Sequence, residues 1–468
     1  MTSKPRREAG AARRQQARPH RESRRQRRRL SREQRRQAAR KAGLSRRQLK
    51  RLYGQLPEPV HAVFGPLEKA LTRPTSQRLV LLALAAILTT GGRTIAGWLR
   101  CLGALAPGHS SSYHRALSHR RWPARRLARR SIAAVLARFA PRGPIELAGD
   151  DTVTEHPGDT VYGKGRHRDP VRSTHSFTAY RWGHKGVVLA VLVRFPFCRR
   201  RWALPLMAAL YRPEAKGVDG VSRRAHKTPV DLLGQMLRIL IHWFPDRKFV
   251  CCADGHYAAH ELAEVAAAAP RRLTFVSKFY PAANLFEPPP PIHGKRPAHR
   301  PRKKGKELPA PAQVVRDTPN RPVVTVGWYG GGRRRVEVVT GVGSWYRSGR
   351  SLVPVRWVFV RDRTATHRDE YFFTTDVTMS PKAVIETYTG RWNIETTFQE
   401  ARSDLGLETT RGRVRNTVLR AEPCLLALYT LVAWLYAELP MRYRRVRAVA
   451  WLGKVDVTFS DAITAVRR

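Results

Sequence analysis

The chain has 468 residues, of which 42% are hydrophobic, and a formal net charge of +53 at pH 7. This length supports two or three domains with at least one large core, and 11 Trp, 14 Tyr and 15 Phe exclude a chain that is disordered throughout. So large a positive charge opposes compaction unless a polyanion binds, which indicates nucleic acid as the partner.

The chain begins with a basic arm, predicted over residues 1–55. Residues 1–51 contain 21 Lys and Arg but three Asp and Glu, which predicts disorder in the absence of DNA. The rest of the chain still carries a large excess of basic residues, so the folded part is basic as well. Five cysteines without a CxxC pair indicate neither a disulfide framework nor a zinc ribbon. They fit a reduced compartment such as the cytoplasm.

Residues 56–140 predict a helical region. A helix at Thr75–Thr90 stops at Gly91-Gly92, and a second helix covers Thr94–Leu102. The stretch that follows is rich in Arg and includes His114 and Trp122. These residues favour a helical DNA-binding region, and a helical cap over the main core is the alternative.

Two apolar runs, Leu79–Leu88 and Cys424–Ala437, could be mistaken for membrane spans. Both are shorter than the roughly 20 residues that a membrane-spanning helix needs. They therefore predict buried helices and no membrane partner.

From residue 141 the pattern changes to strands that end in acids. Ile145–Gly149 is a short apolar strand that runs into Asp150 and Asp151, and Phe249–Ala253 is a buried strand that runs into Asp254. Two strands and an amphipathic helix lie between them: Gly186–Phe197, Trp202–Leu210 and Pro229–Phe244. The basic segment at 164–176, with His156, His167, His175 and His184 in and around it, predicts either DNA contact or a solvated loop.

The second half predicts a β-rich block between two parts of one core. Residues 287–311 are rich in Pro, Lys and Arg and predict an exposed loop. The predicted strands after it are Pro322–Trp328, Arg335–Thr340, Leu352–Arg361 and Glu370–Thr375. Ser380 and Pro381 begin a helix that continues past Glu395 towards Leu405. The predicted divisions are 141–278 and 379–440 for the core, 279–378 for the insertion and 441–468 for a basic tail.

Three acids in distant parts of this chain have the chemistry of a two-metal site. Cleavage of a phosphodiester bond by two metal ions needs hard oxygen ligands held on rigid elements. Asp254 and either Asp150 or Asp151 follow buried strands. One of the adjacent pair can face the site, because side chains alternate along a strand. The alternative is that these acids cap turns or helices.

The segment Tyr388–Arg402 is the most specific signal. Tyr388, Arg391, Glu395 and Arg402 are spaced 3, 4 and 7 residues apart, which places them on one face of a helix. That face would present a carboxylate flanked by phosphate-binding groups. The alternative is a solvated charged face on which Arg391 and Glu395 pair.

These motifs resemble those of the DDE transposases of the IS4-like group. The helix motif of that family is Tyr, Arg, Glu and Lys at this spacing, and the present chain departs from it with Arg402 in place of Lys. Asp254-Gly-His-Tyr257 resembles the family's D-x-x-[YF] motif, and Asp150-Asp151-Thr152 resembles its strand-ending Asp-Thr. The register of this first motif is ambiguous, and Asp151 is preferred over Asp150.

The resemblance implies an α/β fold: an RNase H-like mixed-sheet core, interrupted by a β-rich insertion and preceded by the helical DNA-binding region. It implies that Asp151, Asp254 and Glu395 bind two Mg²⁺ ions, with Mn²⁺ as a substitute, and that Tyr388, Arg391 and Arg402 hold DNA phosphates. Trp392 and Lys278 are further candidates for DNA contact, and for Lys278 a plain surface lysine is the alternative.

The implied activity is cut-and-paste transposition by cleavage and strand transfer. The implied partners are double-stranded DNA, as terminal inverted repeats and as target, and a second copy of the chain in a synaptic homodimer. A metal-dependent nuclease that does not join, or a non-catalytic DNA-binding relative, are the alternatives.

Overall fold

The structure, a computed structural model, describes residues 58–91, 93–169, 172–214, 226–291, 302–444 and 454–468. The predicted arm at 1–55 lies outside the described residues, as do the middle of the predicted loop at 287–311 and part of the predicted tail at 441–468.

Helices form both ends of the described chain. Those before the sheet are α1 (Glu58–Ala70), α2 (Arg73–Leu88), α3 (Ile95–Leu102), α4 (Ser110–Ser118) and α5 (Ala124–Phe139). The helices that follow the first four strands of the sheet in the chain are α6 (Pro229–Trp243), α7 (His260–Ala267), α8 (Pro311–Arg316), α9 (Pro381–Arg391), α10 (Asn393–Leu405), α11 (Arg415–Glu438), α12 (Met441–Arg444) and α13 (Phe459–Arg467).

The strands join into a single 12-stranded sheet. They are β1 (Ile145–Glu155), β2 (Gly165–Arg168), β3 (Tyr180–Val193), β4 (Trp202–Tyr211), β5 (Phe249–Ala253), β6 (Leu273–Lys278), β7 (Leu285–Phe286), β8 (Glu307–Leu308), β9 (Val323–Gly327), β10 (Arg333–Trp345), β11 (Val353–Asp362) and β12 (Glu370–Thr374).

The sheet is mixed, which confirms the predicted α/β class. Its order is β2-β3-β1-β5-β6-β12-β11-β10-β7-β8, with β4 paired to β3 and β9 paired to β10. The pairs β1–β5 and β5–β6 are parallel. The neighbouring pairs β1–β3, β3–β4 and β6–β12 are antiparallel. The β-rich block is therefore continuous with the core, because β12 pairs directly with β6.

Helices cover both faces of the sheet around β1. A Cβ atom at Gly149 would lie 2.9 Å from Leu233, so α6 packs closely on the Gly149 face. On the opposite face, the Thr397 hydroxyl of α10 donates to the carbonyl of Ala203 at 2.9 Å, and the Thr430 hydroxyl of α11 donates to that of Pro205 at 3.0 Å. The interior of β1 is thereby closed on both sides.

Several local predictions differ from the structure: the strand predicted at Gly186–Phe197 is Tyr180–Val193, the predicted loop at 287–311 contains β8, and the predicted tail at 441–468 contains the packed helix α13. Three further differences bear on the site or on the edge of its sheet. The strand predicted at Ile145–Gly149 continues to Glu155, because β3 pairs with it as far as Glu155 opposite Gly183. The helix predicted to run unbroken past Glu395 is interrupted at Trp392. The basic segment at 164–176 contains a strand, β2, which was not predicted.

The apolar run at Cys424–Ala437 belongs to the longer helix α11. This helix is apolar and long enough to cross a membrane by composition alone, but 56% of its most apolar window is buried in the protein. The helical region packs on it: Arg420 donates to the Leu117 carbonyl at 2.8 Å and Asn416 to that of Ser118 at 3.0 Å. Such contacts are those of a core helix, and DNA binding by residues 56–140 stays a prediction.

A buried polar cluster lies where α11 meets β1 and β3. His156, His184 and Glu422 line a cavity of about 10 Å³. The His156 and His184 rings lie 4.3 Å apart, and His184 Nε2 donates to the Tyr162 carbonyl at 2.9 Å. Oε1 of Glu422 is buried and has no hydrogen-bond partner among the described residues. Burial raises the pKa of Glu422 to about 7 and lowers that of His184 to about 4.

Replacing Glu422 by Gln is expected to stabilise the protein at pH 8 but not at pH 5. Because its folded pKa is raised from 4.5 to about 7, the folded state holds the proton more tightly, and stability falls as pH rises through that window. Gln keeps the shape without the buried charge, so we expect a gain of roughly 1–3 kcal/mol at pH 8. Thermal melts at the two pH values measure it.

The exposed Glu307 provides the matched control, since Glu307→Gln should change stability little at either pH. Protonation of His184 at low pH lowers the stability of wild type and variant alike, so it cancels when the two proteins are compared at the same pH. An equal gain for Glu422→Gln at pH 5 and pH 8 would contradict burial of a charge at this position.

Candidate active site

The first two acids are brought together by parallel strand pairing. Gly149 of β1 lies opposite Ala253 of β5, so the next residues, Asp150 and Asp254, leave the paired region side by side. Asp254 begins a 3₁₀ turn, where its Oδ1 accepts from the His256 backbone N–H at 2.9 Å. Asp254 therefore caps this short 3₁₀ turn rather than a full helix. Its second carboxylate oxygen makes no bond to the turn.

Asp150 and Asp151 lie on opposite faces of β1. Asp150 is 9% exposed, and its Oδ2 accepts from Arg391 Nη1 at 2.7 Å. Asp151 is bound by two other groups, Lys185 Nζ at 3.1 Å and the Tyr257 hydroxyl at 3.1 Å. Adjacent side chains in a strand alternate, so Asp150 shares the face covered by α9 and α10, whereas Asp151 shares the face of Gly149 and α6.

Glu395 reaches the same cluster through Arg391. The guanidinium of Arg391 donates to Asp150 with Nη1 and to Glu395 Oε1 with Nη2, the latter at 2.9 Å. Arg391 is 5% exposed, whereas 37% of the Glu395 side chain is exposed. The predicted pairing of Arg391 with Glu395 is therefore present, and the same guanidinium also bridges to β1.

The break between α9 and α10 sets this geometry. The backbone at Trp392 stays helical, but the hydrogen bonds around it span three residues rather than four. The Trp392 N–H donates to the Thr389 carbonyl at 3.4 Å, and the Glu395 N–H donates to the Trp392 carbonyl at 3.1 Å. The Asn393 side chain donates to the Gly390 carbonyl at 2.8 Å. In a regular helix this carbonyl accepts from a backbone N–H, so the side chain competes with the helix for it. Tyr388 and Arg391 thus end one helix, and Glu395 begins the next.

The electrostatics of the cluster favour a bound cation. Burial raises the pKa of Asp150 to about 8; Arg391 opposes this shift, and the charges of Asp254, Asp151 and Glu395 add to it. Burial also raises the pKa of Glu395, with Arg391 opposing and Asp254 adding. Burial alone would lower the pKa of Arg391, but the carboxylates of Asp150 and Glu395 raise it. The negative charges repel one another, and a cation among them would lower this cost.

The donor set fits Mg²⁺, although the side chains are not yet arranged as ligands. Carboxylate oxygens are the ligands that Mg²⁺ prefers. Within the part of the chain that the structure describes, no three His, Cys, Asp or Glu side chains stand close enough to hold a metal ion. Arg391 bridges Asp150 and Glu395, so direct ligation of one ion by both carboxylates requires this guanidinium to shift.

The predicted DNA-binding residues fall into two groups. Tyr388 is 3% exposed and stacks on Phe372, with the ring centroids 4.3 Å apart, so it packs in the core. Arg402 donates to the Val153 carbonyl at 3.3 Å, to the Thr152 hydroxyl and to Glu408 Oε1 at 2.9 Å. Both have structural contacts here, and their phosphate-binding roles stay predictions.

Trp392 and Lys278 are more accessible. Trp392 is 46% exposed, and its ring centroid lies 5.9 Å from that of Tyr329. Tyr329 in turn stacks on His367 at 5.8 Å. Lys278 pairs with Glu370 at 2.9 Å at the edge of the turn that follows Asp254. The aromatic cluster of Tyr329 and His367 beside Trp392 was not predicted, because its members come from distant loops of the insertion.

Two residues of the cluster escaped sequence analysis in their present roles. Tyr257 belongs to the Asp254 motif, but its bond to Asp151 was not predicted. Burial raises the pKa of Tyr257, so this hydroxyl remains a donor. Lys185 gave no signal, because nothing in its local sequence indicates that β3 aligns it with Asp151. Together these two groups hold Asp151 away from the Asp150 face.

Comparison with known proteins identifies one matching family. The family model described as DDE superfamily endonuclease matches residues 66–335, more than half of the chain. The match includes Asp150, Asp151 and Asp254 and ends before Glu395. A search of curated proteins finds no significant match.

Among solved structures, a cryo-EM structure of a piggyBac transposase synaptic complex with hairpin DNA is similar to this chain. The identity is 12%, the similarity covers 91% of this chain and 81% of the other, and the TM-score is 0.40. A similarity this low carries no conclusion about the chemistry of the site.

Proposed function

Because this chain belongs to the DDE superfamily endonucleases, we propose that it is a DNA transposase that cleaves and joins the ends of its own mobile element. The observation that carries the proposal is twofold: Arg391 bridges Asp150 and Glu395, and parallel strand pairing brings Asp254 next to Asp150. The sheet order β4-β3-β1-β5-β6, antiparallel and then parallel, supports an RNase H-like core. The net charge of +53 supports DNA as the substrate. We propose that the protein acts on DNA in the bacterial cytoplasm, in association with the nucleoid.

We propose Asp150 rather than Asp151 as the ligand from β1. Asp150 is aligned with Asp254 and bridged to Glu395, whereas Asp151 is engaged by Lys185 and Tyr257 on the other face. The sequence-based preference for Asp151 rested on motif register. Strand alternation allows one of the two to face Glu395, and the contacts of Asp150 favour it.

Asp150, Asp254 and Glu395 would hold two Mg²⁺ ions, and Mn²⁺ would substitute. When bound, such ions activate the attacking oxygen and stabilise the leaving oxygen of an in-line displacement at phosphorus. The rigid strands position Asp150 and Asp254, and α10, which covers the Asp150 face of the sheet, brings Glu395 to them. Arg391 keeps Asp150 and Glu395 oriented, and its guanidinium offers paired donors for a phosphate once it shifts.

The substrate would lie along the exposed side of this cluster. Trp392 is exposed beside Glu395, and Lys278 lies at the turn that follows Asp254. Both can contact a DNA strand that enters between them. Joining two ends at one target needs two active sites, so we propose a homodimer in the synaptic complex.

A strand-transfer assay with pre-cut ends tests the proposed function. Short inverted repeats, sought in the DNA that flanks the gene, would supply the end sequences. With Mg²⁺ and a target plasmid, we expect joined products, because a free 3′-hydroxyl takes the place of the attacking water. Cleavage of uncut ends without joining would instead identify a nuclease. DNA binding without either reaction would identify a non-catalytic relative.

A further inference from the structure

An edge of the sheet carries exposed aromatic rings between basic side chains. In the antiparallel ribbon of β2 and β3, Arg166 lies opposite Trp182 and Arg168 lies opposite Tyr180. Side chains at alternate positions of a strand share one face, so these four groups project together. With Lys164, which precedes β2, they form what we call the aromatic ribbon: Lys164, Arg166, Arg168, Tyr180 and Trp182.

The rings of the aromatic ribbon are open to solvent. Trp182 is 58% exposed and Tyr180 is 49% exposed. The Arg166 guanidinium lies 3.9 Å from the Tyr180 ring centroid, and Lys164 Nζ lies 5.8 Å from that of Trp182. Burying such rings in the core would be favourable, so their exposure beside cations indicates a ligand with both flat rings and negative charge.

Acidic residues near the ribbon belong to its other face. Arg181, between the two rings in sequence, pairs with Asp169 Oδ2 at 2.5 Å and with Glu155 Oε1 at 3.3 Å. Among the described residues, no acid forms a salt bridge with Lys164, Arg166 or Arg168. The positive charge of the aromatic ribbon therefore stays available to an anionic partner.

The aromatic ribbon lies on the Asp150 face of the sheet. Val188 of β3 lies opposite Asp150, and Trp182 is six residues further along the same strand. At about 3.3 Å per residue this separation is roughly 20 Å. An exposed basic stretch, with Arg411, Arg413 and Arg415, borders the ribbon, because the Tyr162 N–H donates to the Arg413 carbonyl at 3.0 Å.

We propose that the aromatic ribbon is a binding platform for unpaired DNA bases on the strand that leaves the active site. Tyr180 and Trp182 stack on successive bases, and Lys164, Arg166 and Arg168 contact the phosphates between them. Single-strand sites combine these two features, because every base presents a flat face whatever its sequence. The inference rests on the proposed function for its DNA substrate, but it concerns binding rather than cleavage.

The test compares single-stranded and duplex DNA without metal. Fluorescence anisotropy in EDTA is measured with a labelled oligo(dT) of about 16 nucleotides and with a blunt duplex of the same length. Each of Tyr180→Ala and Trp182→Ala is expected to weaken oligo(dT) binding by roughly 5- to 150-fold, with little effect on the blunt duplex. The salt dependence should keep its slope in both variants, since no phosphate contact is removed.

Tyr443→Ala is the matched control for the ring variants. Tyr443 is 55% exposed, and the Arg442 guanidinium lies 4.9 Å from its ring, so its surroundings are similar but it lies outside the ribbon. This variant should bind oligo(dT) as wild type does. Arg166→Gln should weaken both DNA forms and reduce the log–log salt slope for oligo(dT) by about 0.7.

Three results would overturn the platform. They are equal losses for duplex and oligo(dT) in Tyr180→Ala and Trp182→Ala, oligo(dT) losses in these two variants no larger than that of Tyr443→Ala, or a fall in oligomer size for Trp182→Ala with unchanged oligo(dT) affinity. The last would make the ribbon a contact between two copies of the chain. Any of these with intact Mg²⁺-dependent cleavage leaves the proposed function standing, whereas failure of the wild type to bind either DNA form would remove both.

Discussion

Replacing Glu395 by Gln is expected to reduce metal-dependent DNA cleavage by at least about 10²–10³-fold, the loss seen when a single group that stabilises a transition state is removed. Gln keeps the length of Glu and an oxygen that can accept from Arg391, so the bridge to Asp150 should survive. What is lost is the negative charge that would hold a divalent ion. DNA affinity, measured by anisotropy, should stay unchanged, since no phosphate contact disappears.

Glu408→Gln is the matched control for this variant. Glu408 also accepts from an arginine, Arg402, at 2.9 Å, and 33% of its side chain is exposed. It lies outside the carboxylate cluster, so its replacement should leave cleavage within a few-fold of wild type, roughly the effect of an exposed ion pair. Equal cleavage by wild type and Glu395→Gln would exclude Glu395 from the site.

Asp150→Asn and Asp151→Asn are expected to differ sharply. Asp150 is aligned with Asp254 and bridged to Glu395, so its loss should reduce cleavage by about 10²–10³-fold, like that of Glu395. The two carboxylate oxygens of Asp151 bind Lys185 and Tyr257. Its replacement should therefore act indirectly and reduce cleavage by about 10-fold, the lower end of the roughly 10–100-fold range for groups behind a metal ligand.

The two variants need a readout beyond activity. Asp150→Asn leaves the buried Arg391 with Glu395 as its carboxylate partner, so thermal melts must establish that the variant folds. In the wild type, Mg²⁺ or Mn²⁺ should raise the melting temperature, because a bound ion stabilises the folded state. This rise should disappear in Asp150→Asn and persist in Asp151→Asn. The reverse pattern would restore the assignment of Asp151.

Sequence patterns predicted the elements that carry the acids, because strong local signals mark them. The apolar strand before Asp254 and the Ser380-Pro381 helix start both lie where the sequence indicates. These features depend on hydrophobic periodicity and capping, which are local properties of the chain. The mixed sheet was implied by the family resemblance.

The choice between Asp150 and Asp151 could not come from local sequence. It depends on which face of β1 meets α9 and α10, and that is fixed by pairing with β3 and β5 far along the chain. The break at Trp392 escaped for a similar reason. Its cause, the bond from the Asn393 side chain to the Gly390 carbonyl, competes with a helix that spacing alone predicts to continue.

The strand β2 was hidden by composition. Its sequence, GRHR, lacks the apolar alternation of a strand, since its exposed positions hold arginine. The strand forms because β3 extends to Tyr180 and offers free backbone groups along its edge. Partner backbone, rather than side-chain pattern, therefore determines this element.

The pairing of β6 with β12 has a consequence for how this molecule tolerates change. Lys278 at the end of β6 lies opposite Phe372 of β12. The chain leaves the core after Lys278, forms the insertion, and returns as the neighbouring strand, about 4.8 Å away. The insertion is therefore joined to the core at this pair of strands and continues the same sheet. Because β7 and β8 pair with each other, we expect residues gained or lost between them to leave in place the return point that leads to Glu395, so this stretch suits the grafting of a reporter domain.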